Sequence, residues 1–174
     1  MSIEEKKHGR QANRLVSRFS SIFSLLLALF LIHLWQTRDL VEGTPPMLSG
    51  QTLQGEWFDM AKQTEWPVLI HFWASWCQVC RLESSGIQSL SRDYPVIAVA
   101  MQSGSESDVS QFLKQHQLEM PVINDPDGKL AAAWQVRGVP TSYIVSSDGR
   151  IRFSTVGFTF PLTLRMRLWL AEFW

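Results

Sequence analysis

Two cysteines, Cys77 and Cys80, are the only ones in the chain, and they sit in Trp76-Cys77-Gln78-Val79-Cys80. That spacing suits four kinds of chemistry. A structural staple is a weak use of it. Closing so short a loop restrains the unfolded chain by about 2 kcal/mol, against about 4.7 for a 100-residue loop, and the chain after residue 38 is long enough to fold without it. A zinc site needs four ligands, but no second cysteine pair exists and only His71 and His116 lie beyond the N-terminal apolar run. Haem attachment needs a histidine directly after the second cysteine, and residue 81 is Arg. A redox dithiol remains.

The surroundings support the dithiol. Pro67-Val-Leu-Ile-His-Phe-Trp73 is a short apolar run with the marks of a buried strand. Residues 77–90 read as a helix with Leu82, Ile87 and Leu90 facing inward. Cys77 then opens a helix, where unpaired N–H groups and the dipole favour a thiolate. Thiols so placed have pKa values of about 3.5–7.5 rather than about 8.5. Cys80, one turn further in, can close the disulfide while staying shielded. Cys77 is therefore expected to exchange with substrate and Cys80 to resolve the mixed disulfide.

The elements that must hold this pair alternate along the chain. Residues 47–58, with Gly50 and Gly55, suggest a small hairpin. Val96–Met101 reads as a second buried strand, Val109, Phe112, Leu113 and Leu118 as a helix, and Val122-Ile123 as a brief strand. Asn124-Asp-Pro-Asp-Gly128 is a turn, and 129–134 a short helix. Residues 141–146 and 150–156 form strands joined by a Ser147-Asp148-Gly149 turn, and Pro161 opens a last helix. Strands alternating with helices, then a terminal hairpin, imply an α/β domain with a mixed sheet.

The 174 residues are 45% hydrophobic and 18% charged, which excludes a disordered chain. The net charge of zero hides an asymmetry. Residues 1–38 carry a net +4 and the rest −4. An acidic body argues against nucleic acid. The basic end precedes the run Ile22–Trp35, and 19 residues separate Arg18 from Arg38. As a helix that stretch spans about 28 Å, close to the hydrocarbon thickness of a bilayer. Trp35 suits an interfacial position. An uncleaved anchor is favoured over a cleaved signal peptide, because small residues do not follow the run closely, and over a buried core helix. Five basic residues before Ile22 place the N-terminus inside and the body outside. The expected organisation is a basic cytoplasmic segment over 1–18, a transmembrane anchor over 19–37, a linker over 38–46 and a domain over 47–174. In a bacterium this puts the domain in the periplasm, held to the inner membrane.

Phe72-Trp-Ala-Ser-Trp-Cys-Gln-Val-Cys80 resembles the active-site segment of the thioredoxin superfamily, and Val139-Pro140-Thr141 resembles its cis-proline loop. The tether, Glu83, and the extra helix and strand between Val96 and Asp125 resemble a narrower group. These are the membrane-anchored periplasmic proteins of the TlpA, ResA and DsbE type. The resemblance implies a thioredoxin-like α/β fold: a mixed central sheet flanked by helices, a helix–strand insertion and an N-terminal hairpin, preceded by one transmembrane helix. It implies a thiol–disulfide oxidoreductase that reduces protein disulfides, needs no cofactor, and is fed by a membrane electron donor of the DsbD or ScsB type. Oxidation or isomerisation is the nearest rival. A copper(I)-binding module using Cys77, Cys80 and His71 is a different class, since copper(I) favours soft thiolates with imidazole.

The resemblance also assigns roles. Pro140, with Val139 and Thr141, would face the disulfide and bind an extended substrate strand, with Trp76 covering one side. Trp73 belongs to the core. Glu83 would tune proton transfer, the alternative being a solvated first-turn carboxylate. His71 stands where thioredoxins carry a buried Asp. It is either a proton relay for Cys80 or a satisfied core histidine.

Overall fold

The computed structural model describes residues 40–174, together with residues 22–25, 27, 28 and 31, which are helical and exposed. The chain divides into Met1–Arg38 and Asp39–Trp174. The anchor expected over 19–37 lies largely outside the described residues. Among those described, no helix is long and apolar enough to cross a membrane.

The body is built on a five-stranded sheet in the order β5-β4-β3-β6-β7. Its strands are β3 (Val68–Trp73), β4 (Val96–Met101), β5 (Val122–Asp125), β6 (Thr141–Val145) and β7 (Ile151–Val156). β3, β4 and β5 run parallel, while β6 is antiparallel to both β3 and β7. Every residue of β3 and β4 is buried, so both faces of the sheet are covered and the strands read as continuous apolar runs. Alternation sorts the β3 side chains. Val68, Ile70 and Phe72 pack with Val99, Trp134 and Tyr143 on one face, while Leu69 and Trp73 pack with Cys80, Ile87, Leu164 and Leu168 on the other. His71 shares the parity of Leu69 and Trp73.

Four helices flank the sheet: α1 (Gln78–Leu90), α2 (Glu106–Gln115), α3 (Lys129–Ala133) and α4 (Pro161–Ala171). α2 starts with a capping box between Ser105 and Asp108. α3 is held by Asp125, whose two carboxylate oxygens accept from Leu130 N and Ala131 N at 3.1 and 2.9 Å. The expected hairpin is present as β1 (Ser49–Gln51) and β2 (Trp57–Asp59), antiparallel to each other. In its connecting loop, Thr52 bridges Ile123 and Leu53 N donates to Val122 O, which covers the β5 edge.

Two expectations need correction. The linker assigned to 38–46 is, from Leu40 onward, part of the body. Leu40 is buried in the core, and Gly43 O accepts from Ile151 N at 2.7 Å, closing the β7 edge. Leu82 does not face inward either. It is 74% exposed, and Glu83 takes the buried position beside Cys80, Ile87 and Leu90.

Candidate active site

β3 delivers the chain to the site, and a tight turn after Trp73 places Cys77 at the N-cap of α1, with extended backbone. Its sulfur accepts from Cys80 N at 3.1 Å, so one of the helix's free N–H groups already points at it. Cys77 and Cys80 form a disulfide with a Cα separation of 5.3 Å. Both are buried, Cys77 7% exposed and Cys80 2%.

Opposite the disulfide lies the turn before β6. The Val139–Pro140 peptide is cis, and Val139 O lies 3.6 Å from Cys77 Sγ. Thr141 is buried, with its Oγ1 donating to Gly138 O at 2.7 Å. Trp76 is 58% exposed beside the pair, while Trp73 is in the core. The exposed indole is braced: Trp76 Nε1 donates to Gln102 O at 3.1 Å, and Ser75 N donates to Ser103 Oγ at 3.0 Å. The loop after β4 thus fixes the loop before Cys77. Gln102 and Ser103 had no signal in the sequence beyond standing in a polar loop.

Glu83 is buried, which removes the solvated alternative. One carboxylate oxygen accepts from Thr159 N in the β7–α4 loop, and the other, Oε2, is buried with no partner. Burial pushes its pKa up to about 7, partly offset by the Thr159 hydrogen bond. His71 is buried on β3, and its Nδ1 lies 2.9 Å from Ser142 Oγ, on the neighbouring strand directly opposite. Burial lowers its pKa to about 4, so the imidazole is neutral at physiological pH. Thr159 and Ser142 were missed from the sequence, because each acts through a partner far along the chain. Among the described residues no cluster of three His, Cys, Asp or Glu side chains could hold a metal ion. His116 ends α2, stacked on Phe112.

The model of the AhpC/TSA family matches residues 42–154. A thioredoxin-like protein of Haemophilus influenzae is 38% identical over 127 residues, covering 72% of this chain and 73% of its own. The sporulation thiol-disulfide oxidoreductase A of Bacillus subtilis is 25% identical over 171 residues, covering 91% and 99%. A solved structure assigned as a DsbE-type thiol:disulfide interchange protein of Chlorobium tepidum superposes with a TM-score of 0.67 at 26% identity, covering 76% of this chain and 99% of that one. With a cysteine pair capping a helix against a proline turn, and relatives that carry thiol–disulfide exchange in their names, the chain belongs to the AhpC/TSA family in its thioredoxin-like form, and its chemistry is thiol–disulfide exchange through Cys77 and Cys80.

Proposed function

We propose that this protein is a membrane-tethered, periplasm-facing oxidoreductase that reduces disulfides in other proteins. The observation that carries the reading is the approach of Cys77 to the Val139 carbonyl across the cis Pro140 turn. That turn leaves the Val139 backbone beside the reactive sulfur, where an extended substrate strand can pair with it. Trp76 supplies an apolar wall and Thr141 stiffens the turn.

In the reducing direction the Cys77 thiolate attacks a substrate disulfide. A Cys77–substrate bond forms and one substrate thiolate leaves. The Cys80 thiolate then attacks the Cys77 sulfur, the Cys77–Cys80 bond forms, and the second substrate thiolate leaves. Two electrons pass to the substrate, and the two departing thiolates take up protons. Cys80 must lose its proton before it attacks. Two buried groups can accept that proton and return it: the neutral His71 of β3, or Glu83, one helical turn further on with its pKa raised to about 7. The oxidised pair is then restored by a two-electron membrane donor of the DsbD type.

The tether rests on the five basic residues before Ile22 and the apolar run that follows. Reduction rather than oxidation rests on the resemblance to tethered reductants. The test is the Cys77–Cys80 potential in a glutathione redox series. A value nearer about −270 than −120 mV supports a reductant, and the reverse assigns an oxidase. A periplasm-dependent reporter fused after Trp174 should be active, and a signal from a cytoplasm-dependent reporter would overturn the topology.

A further inference from the structure

Two phenylalanines beside the site contribute little to the core. The loop between β7 and α4 carries Phe158 and Phe160, 45% and 68% exposed, with ring centroids 5.0 Å apart in an edge-to-face pair. Between them Thr159 turns inward, its N–H bonded to Glu83 and its Oγ1 3.4 Å from Thr155 Oγ1. Phe160 is also the N-cap of α4, and it makes no side-chain cap bond. Ser, Thr, Asp or Asn would serve the helix better there. A position that gives up its local preference is one where function is expected.

The loop is held against the reactive end of the fold at three points. Gly157 N donates to Pro140 O at 2.8 Å, Thr159 N donates to Glu83, and Pro161 packs on Gly86 of α1. It therefore runs from the cis-proline turn to the flank of α1. Leu82, the leucine left 74% exposed, stands four residues before Gly86 on the same face of that helix. Sheet order sets the sides. Trp76 is braced by Gln102 after β4, on one side of β3, and the loop follows β7, on the other. Cys77 lies between the two, just past the end of β3. Large exposed apolar side chains that cluster in this way mark a contact surface.

We propose that Leu82, Phe158 and Phe160 form a specificity subsite for a large apolar side chain that flanks the reacting cysteine of a substrate protein. This deepens the protein-disulfide reading above and rests on the substrate strand pairing with the Val139 backbone. A strand paired there passes between Trp76 and the loop, so residues within two of its cysteine come within reach of the phenyl rings. None of the three side chains offers a hydrogen bond. The subsite thus reads size and apolarity, and it disfavours a charged side chain, which would lose water there.

The test reacts the reduced full chain with two blocked heptapeptides, each a symmetric disulfide through a central cysteine. One carries phenylalanine two residues to either side of the cysteine, the other serine. Each disulfide accepts two electrons from Cys77 and Cys80 and leaves as two peptide thiols. Rates of protein oxidation are read by alkylation and mass spectrometry, relative to hydroxyethyl disulfide, which is too short to reach the loop. The phenylalanine peptide is expected to react about tenfold faster than the serine peptide, the effect of partly burying one aromatic side chain. Phe158→Ser with Phe160→Ser should remove most of that preference, and Leu82→Ser should reduce it. Because serine is the better N-cap, Phe160→Ser alone should raise the urea midpoint while weakening the preference, which a merely structural role would not do. Equal rates for the two peptides, both well above hydroxyethyl disulfide, overturn the subsite and leave the protein-disulfide reading standing. A preference that survives the double substitution assigns it to Trp76 and overturns the subsite as well. Peptides no faster than hydroxyethyl disulfide remove the protein-disulfide reading, and the subsite with it.

Discussion

Glu83 and Thr159 tie α1 to the β7–α4 loop through one hydrogen bond, from the Thr159 backbone N–H to the Glu83 carboxyl group. The same contact region holds Gly86 against Pro161. The helix that carries both cysteines is thus pinned to α4 through a group that changes charge near neutrality. A buried carboxylate with one oxygen unsatisfied disfavours its own anion, and a neutral carboxyl can remain where it is.

Glu83 and His71 should oppose each other in pH-dependent stability. Burial raises the Glu83 pKa to about 7 from an ordinary 4.5, so between these the folded state holds a proton that the unfolded chain has lost. Stability from this group falls as pH rises through that window. His71 titrates near 4 against 6.5, so the unfolded chain takes up a proton that the folded state refuses. Stability from His71 falls as pH drops from 6.5 to 4. Between 4.5 and 6.5 the two slopes cancel in part. Glu83→Gln should expose the His71 slope, with the oxidised protein weakening on acidification, and His71→Asn should expose the reverse. Each effect is on the order of 2 kcal/mol once screening is allowed for. Urea midpoints across this range provide the check; a pH-independent midpoint in Glu83→Gln would refute the assignment.

Cys77→Ser should abolish disulfide reduction, and Cys80→Ser should accumulate mixed disulfides through Cys77. The basis is the greater accessibility of Cys77 and its seat at the α1 N-cap, where Cys80 N already points at its sulfur. Mass spectrometry of the Cys80→Ser protein after incubation with a disulfide substrate reads the trapped adduct. Alkylation that labels Cys80 faster than Cys77 in the reduced protein would reverse the roles.

The fold was legible where the code is local. The apolar runs at β3 and β4 and the turn before α3 each announce themselves, as does the Cys77 helix. Leu82 and Glu83 show where that code fails. Helical periodicity with a preference for leucine inside chose the wrong neighbour, because the rule does not know that Thr159, 76 residues away, offers a backbone N–H to a buried carboxylate. The linker expected over 38–46 fails at Leu40 for the same reason, since Leu40 is buried next to a segment whose Gly43 pairs with Ile151 far along the chain. In the site, Cys77, Cys80 and Pro140 follow from motif and spacing. Ser142, opposite His71, follows only from strand register.

Gly86→Ala should destabilise the protein although alanine favours helices. An exposed helix interior would gain about 1 kcal/mol from the change. At Gly86, however, a Cβ would sit 2.3 Å from Pro161 Cγ and 3.1 Å from its Cβ. The proline ring cannot swing aside, so α1 and α4 must separate, and overpacking of this kind costs about 1–3 kcal/mol. The steric term wins, for a net loss of up to about 2 kcal/mol. Urea denaturation of the oxidised variant measures it. A higher midpoint than wild type would show that the start of α4 gives way freely.

His71→Asn should separate the two steps of exchange. His71 is neutral, buried and on the same side of β3 as the packing around Cys80. Its Nδ1 is engaged with Ser142, which fixes the ring orientation. A neutral imidazole can accept a proton as Cys80 ionises, whereas an amide cannot. Attack by Cys77 does not need that acceptor, because the helix N-terminus stabilises its thiolate directly. Resolution of the mixed disulfide should therefore slow by about 10–100-fold in His71→Asn, the lower range for general acid–base groups, while the first step stays nearly unchanged. Asparagine can still reach Ser142, so the fold should stand. Stopped-flow decay of a preformed mixed disulfide, followed against pH in both proteins, distinguishes the cases. Equal decay rates across neutral pH would reduce His71 to core packing and leave Glu83 as the proton acceptor for Cys80.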